Sequence, residues 1–209
     1  QPYYKFQSAG MTLDPSASSG SGVTLTTSGP YWDTSSPSKH VGTTVRYNGN
    51  EIEITGVTSS TVATGDVLDS LKVTLSANSV KTNEGSNIVE VILANHGLSV
   101  GNSITISNAG TIGGISINQL NGSRTVAGVL SDDKFTFTAG SSANASELGG
   151  GTPDITTHAP TTSWDEQSYS SLRGFPSAVT FHENRLVFGG TLAQPDSIWF
   201  SKIASYYNF

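Results

Sequence analysis

The 209-residue chain has 12% charged residues, a formal net charge of −6 and a sequence pI near 5.0. It has no cysteine, which excludes disulfides, thiolate metal sites and thiol chemistry. Only ten Lys and Arg are present, and they are scattered, which argues against the basic stripe of a groove-reading nucleic-acid binder. No apolar run approaches the ~18 residues a membrane span needs, and 23 Gly among frequent Ser, Thr and Asn favour strands and turns over helix.

Residues 1–10 read as an incoming segment whose Tyr3, Tyr4 and Phe6 pack on the β-module after it. Met11-Thr12-Leu13 opens the first patterned stretch, and Asp14 to Gly22 is a loop of small residues. Val23-Thr24-Leu25-Thr26 alternates and predicts a strand. Ser28 to Lys39, with Pro30 and Pro37, is a loop with room for one helical turn before His40. Thr44 to Tyr47 and Glu51 to Thr55 flank Asn48-Gly49, a strong two-residue hairpin signal. Ser60 to Thr64 is the next strand. Short strands this close together predict a small β-barrel or sandwich over residues 1–71.

Residues 72–160 read as an inserted β-rich module with strands at Asn87–Ala94, Ser103–Ser107, Gly122–Val129 and Lys134–Ala139. Asp132-Asp133 is a tight turn, and Gly149-Gly150-Gly151 marks the exit toward a linker with Pro153 and Pro160. Residues 161–209 hold a lead-in, Trp164 to Ser171, and three strands, at Ser177–Phe181, Arg185–Phe188 and Asp196–Ser201. The fold class is therefore all-β: small barrel or sandwich modules, then a partial propeller-like antiparallel meander. Helix is expected in under about a tenth of residues.

The terminal meander is crowded with aromatics, from Trp164, Phe175 and Phe181 to Tyr206, Tyr207 and Phe209. Core and subunit packing is the expected use of these rings. Phe188 and Trp199 are expected to be largely buried. The outer strands are expected to pair with another part of this chain or with a neighbouring subunit. The sheet reads as unfinished, the opening piece of something larger.

Chemistry-bearing residues do not assemble into a site. His40, His96, His158 and His182 lack metal-ligand spacing and read as turn or surface histidines. Glu51 and Glu53 share one strand face; with Asp132-Asp133 and Asp165-Glu166 they read as solvated acids rather than a glycosidase pair. Asn108, Asp132 and Asp133 lack the spacing of a calcium loop. There is no G-x-S-x-G, and the glycine runs Gly20-Ser21-Gly22 and Gly149-Gly150-Gly151 lack the lysine and helix of a phosphate loop. Arg173 is placed to pair with Asp165 or Glu166, and Arg185 with Glu183. No catalytic, cofactor-binding or metal residue is assigned, no cofactor is expected, and the chain reads as a non-enzyme.

Three stretches carry a resemblance. Met11 to Leu71, with TLDPSASSGSGVTLTTS and HVGTTVRYNGNEIEITGVTSSTVATGDVL, resembles a module of short-tailed bacteriophage tail proteins. Ser163 to Phe209 resembles the next segment of those proteins: the acidic lead-in after Trp164, Arg173-Gly174-Phe175-Pro176, RLVFGGT, Gln194-Pro195, Ile198-Trp199-Phe200-Ser201 and Asn208-Phe209. Both resemble the tail tubular protein B family, the tail nozzle. The stretch from His96 to Thr138 is similar to a β-module common as an insertion in phage structural proteins.

The resemblance implies a virion component of the phage tail, a homo-oligomer, a hexameric ring in this family, beneath portal and adaptor proteins. DNA would pass through it without sequence-specific binding during genome ejection. It also implies further propeller blades beyond Asn208-Phe209. The alternative is a host-surface receptor (glycan) binding module using the loops His96–Val100 and Ile112–Asn121; a tail depolymerase is the more distant one.

Overall fold

The structure is a computed structural model describing residues 1–209. Its strands in chain order are β1 (Tyr3–Tyr4), β2 (Leu13–Pro15), β3 (Gly20–Thr27), β4 (Thr44–Tyr47), β5 (Asn50–Ser59), β6 (Val62–Val67), β7 (Lys72–Thr74), β8 (Val80–Thr82), β9 (Ile88–Ile92) and β10 (Ser103–Ser107). A single-turn helix α1 (Ile117–Leu120) precedes β11 (Gly122–Ser131), β12 (Lys134–Thr138), β13 (Glu147–Gly149), β14 (Asp154–Thr156), β15 (Trp164–Gln167), β16 (Ala178–His182), β17 (Arg185–Gly189) and β18 (Ile198–Phe200). The chain is all-β with very little helix, as the composition required. The loop before His40 contains no helical turn.

Three antiparallel sheets result. The first runs β1-β15-β4-β5-β6-β3-β2. Its central hairpin turns at Asn48 (φ 48°) and Gly49 (φ 86°), the two positive φ angles a tight hairpin turn of this type demands. Alternation then buries Ile52 and Ile54 and leaves Glu51 and Glu53 on the outer face. The sheet curls until its far edge nearly meets the chain entering β15: Leu13 and Thr161 exchange both backbone hydrogen bonds, at 2.9 and 3.1 Å. Inside lie Leu13, Leu25, Trp32, Val45, Tyr47 and Trp164 with their neighbours.

The second sheet runs β13-β8-β9-β12-β11-β10-β14-β7 and is built entirely from residues between Lys72 and Thr156. Its separate core is aliphatic, joined by Phe135 and Phe137. The third sheet is the meander β16-β17-β18.

The lead-in strand β15 does not join that meander. It sits between β1 and β4 in the first sheet, with Trp164 opposite Tyr47 and Glu166 opposite Tyr4. The segment from Thr157 to Thr161 ties the first two sheets together. The His158 Nδ1–H donates to the Pro15 carbonyl at 2.9 Å, and the Thr161 hydroxyl donates to the Asn95 carbonyl at 3.2 Å. Gly97 (φ +62°) lies against this segment, and a Cβ there would overlap the Pro160 carbonyl oxygen. Only glycine suits both the close approach and the dihedral.

Candidate functional site

The register of the meander places Val179, Phe181, Leu186, Phe188 and Trp199 on one face. Ala178, Thr180, Val187 and Phe200 lie on the other. Part of the first face is covered from within. Tyr169 packs edge-on against Phe188 (5.7 Å between centroids) and Trp199 (5.2 Å), while Phe209 stacks on Phe188 at 5.5 Å. These contacts hide Phe188 and Trp199 only in part, less than the sequence led us to expect.

The rest of the meander is open. Val179 is 65% exposed, Phe181 66%, Leu192 83% and Tyr207 92%. Phe175, Ile198 and Phe200 are exposed as well. Within residues 1–209 neither β16 nor β18 has a strand beyond it, so no other part of these residues pairs with the outer strands. The aromatics beyond Tyr169 are thus largely surface, not core.

Between Tyr169, Val179, Phe188, Tyr206 and Phe209 opens a cleft of about 470 Å³. The Tyr169 hydroxyl at its wall is buried without a hydrogen-bond partner, and burial pushes its pKa above the ordinary tyrosine value. β16 contains no Asp, Glu, Lys or Arg, and no Pro blunts this edge. Edges left this bare invite pairing. The patch is therefore suited to contact with another polypeptide rather than to bond-making chemistry.

The meander is fastened to the first sheet by a buried ionic cluster. The Arg173 guanidinium donates to both oxygens of the fully buried Glu166, the shortest contact 2.6 Å. It lies over the Phe6 ring at 4.2 Å. The Tyr31 hydroxyl donates to the same carboxylate. His40 Nε2 stands 3.6 Å from Glu166 Oε2, an electrostatic neighbour rather than a hydrogen-bond donor. Its Nδ1 accepts from the Asp33 N–H at 2.8 Å. Burial alone would raise the Glu166 pKa, but His40, Arg173 and Tyr31 outweigh it and hold the carboxyl below its usual value.

Several sequence expectations change here. His40 and His96 are buried rather than surface histidines, His40 within the turn read for it: one faces Glu166, and the other packs edge-on to Phe135 at 5.4 Å with Nε2 3.0 Å from the Ser131 carbonyl. Glu166 is not a solvated acid; its neighbour Asp165 is bidentately bound by Arg46 at 2.7 and 2.9 Å. Arg173 takes Glu166 of its two offered partners. Glu183 lies 3.9 Å from His182 and forms no ion pair with Arg185. Glu51 accepts from the Tyr3 hydroxyl at 2.7 Å. Asp133 caps the Asn95 N–H at 2.9 Å. Asn108 instead donates to Asp154 at 2.6 Å. No three His, Asp or Glu side chains converge as a metal site. His158 and Asp14, which sequence reasoning did not join, line one cleft. They lie in different modules of the sequence, and no local pattern could have signalled their meeting.

No protein-family model matches the chain, and no curated protein matches it. Among solved structures it is similar to one described as phage phi92 endosialidase, with 16% sequence identity and a TM-score of 0.37. The alignment covers 80% of this chain and 30% of that chain. Similarity at that level assigns no residue here a role.

Proposed function

We propose that this chain is a non-enzymatic structural component of a phage tail, a nozzle-like ring part that associates with copies of itself and with portal and adaptor proteins. The single observation that carries the reading is the terminal meander, apolar on its surface and bare at both edges, in the stretch whose sequence resembles the nozzle family. A neighbouring subunit supplying a strand to β16 or β18 would satisfy their backbone groups and cover Val179, Phe181 and Phe200. The net charge of −6 suits a conduit that DNA must traverse without adhering, because like charge opposes contact.

Electron microscopy and light scattering of the purified protein test this. Closed rings, or rings formed on addition of portal and adaptor, are the expected result. A monodisperse monomer that never joins either overturns it. A second reading, host-surface binding by residues 72–160, gains from one feature: the loop beginning at His96 borders a polar cleft. Its other suggested loop is anchored inward by buried Ile112, Ile115 and Leu120.

A further inference from the structure

Where the first two sheets meet, β2, the loop after β9, the start of β10 and the Thr157–Thr161 segment enclose a cleft of about 420 Å³. That lies within the ~300–1,000 Å³ of small-molecule sites. Unlike the cleft on the meander, its lining is mixed, with Gly97, Ala159 and Pro160 standing among polar residues. Six side chains supply the polarity: Asp14, Ser99, Asn102, Ser103, Thr157 and His158.

The internal hydrogen bonds leave several of these groups free. The Asp14 carboxylate is half-buried, yet it accepts no hydrogen bond and forms no ion pair within the chain; burial raises its pKa, offset in part by His158. The His158 Nδ1–H is spent on Pro15, which leaves Nε2 as the polar atom of the ring without a partner in the chain. Asn102 Oδ1 accepts from the Ser99 N–H at 2.7 Å, which fixes the amide and leaves both Nδ2 hydrogens. The Ser99 hydroxyl is uncommitted. The Thr157 hydroxyl is already accepting from Ala159 N–H at 3.2 Å.

Acceptors thus stand beside donors around one opening. An anion is opposed by Asp14. A simple cation would use Asp14 but leave the Asn102 and Ser99 donors idle. A hydroxyl gives one donor and two acceptors, so adjacent hydroxyls on one ring match the set. We infer that this cleft binds a neutral, hydroxyl-rich ligand, a saccharide unit, through Asp14, Ser99, Asn102 and His158. The cleft is preorganised: Gly97 pressed on Pro160 and the Leu13–Thr161 bridge fix its walls. This inference does not rest on the ring reading, since a chain that stays monomeric would keep the cleft.

The test is a titration of the intact ¹⁵N-labelled chain with oligosaccharides of glucose, galactose, rhamnose and N-acetylglucosamine, following amide shifts. Saturable shifts at Ser99, Asn102 and Ser103 with at least one of these sugars are expected. Asp14→Ala and Asn102→Ala should each weaken binding about tenfold or more, while Glu53→Gln, on the outer face of β5, leaves it unchanged. Unaltered melting temperatures show that the variants fold, and Asp14→Asn serves if Asp14→Ala does not. No saturable shift with any of these sugars overturns the inference, as do shifts that survive both alanine variants. Shifts at the same amides with calcium chloride or lysine amide, and none with sugar, would mark a cation site and overturn it equally.

Discussion

Glu166 and Arg173 are joined at 2.6 Å across seven positions of chain, the carboxylate wholly buried on β15 and the guanidinium at the root of the terminal meander. A buried charge deprived of its partner is costly, whereas replacing the whole pair with apolar groups can be nearly neutral. Arg173→Met should therefore destabilise the protein by about 3 kcal/mol in urea unfolding. Glu166→Leu combined with Arg173→Met should recover part of that loss. Equal losses in single and double variants would mean the charge pair is not what holds this joint.

The same carboxyl sets a pH dependence. Its pKa is lower folded than unfolded, so between the two values the unfolded chain binds more protons and stability rises with pH. The contribution is fully present above the ordinary glutamate value of about 4.3 and is lost as pH falls through the lower folded value. Asp33, held down by the Ser35 hydroxyl, and Asp154, held down by Thr74, act in the same direction. Melting temperature should fall from pH 6 toward pH 3, and the fall should be shallower in Glu166→Gln. An unchanged profile in that variant would assign the dependence to the aspartates.

Gly97→Ala should cost about 3 kcal/mol, because the added methyl meets the Pro160 carbonyl and the residue is held at positive φ. Gly101→Ala shares the positive φ (+93°) but has open space for a Cβ, so it should cost only about 1 kcal/mol. Thermal melts of the two variants make the comparison. Similar losses would mean that backbone strain, not the contact between sheets, dominates at Gly97.

On the meander, Phe181 is two-thirds exposed and touches Tyr206 edge-on at 5.4 Å. Phe181→Glu should lower stability by under about 1 kcal/mol, as surface changes do, while weakening self-association at least tenfold in sedimentation velocity. Retained association would move the contact to another face.

Much of the architecture was legible locally. Asn48-Gly49 announced its hairpin, and alternation marked the buried Ile52 and Ile54. Ser103–Ser107 was read to the residue. Short strands such as β7, β8, β13 and β14 escaped because two or three residues carry too little periodicity. β15 was found as a lead-in but not its place between β1 and β4, since pairing partners over a hundred positions away leave no local trace. The acidic doublet Asp165-Glu166 looked solvated because sequence shows charge but not cover. One residue faces Arg46 at the surface and the next faces Arg173 inside, the ordinary alternation of a strand. The polar cleft was invisible for the same reason: Asp14 and His158 meet only after two sheets have formed.

The first sheet draws strands from both sides of residues 72–156, and the Arg46–Asp165 pair alone spans 119 positions. Such pairings are slow, because closure entropy is spent before any contact rewards it. Compaction of the intervening eight-stranded sheet brings its two ends together and shortens the loop that remains. During synthesis the early strands, Leu25 and Ile52 among them, must wait for Trp164 to emerge before their core can close. Prior folding of the second sheet should therefore speed completion of the first, and a lesion in its interior should delay the assembly of residues it never touches.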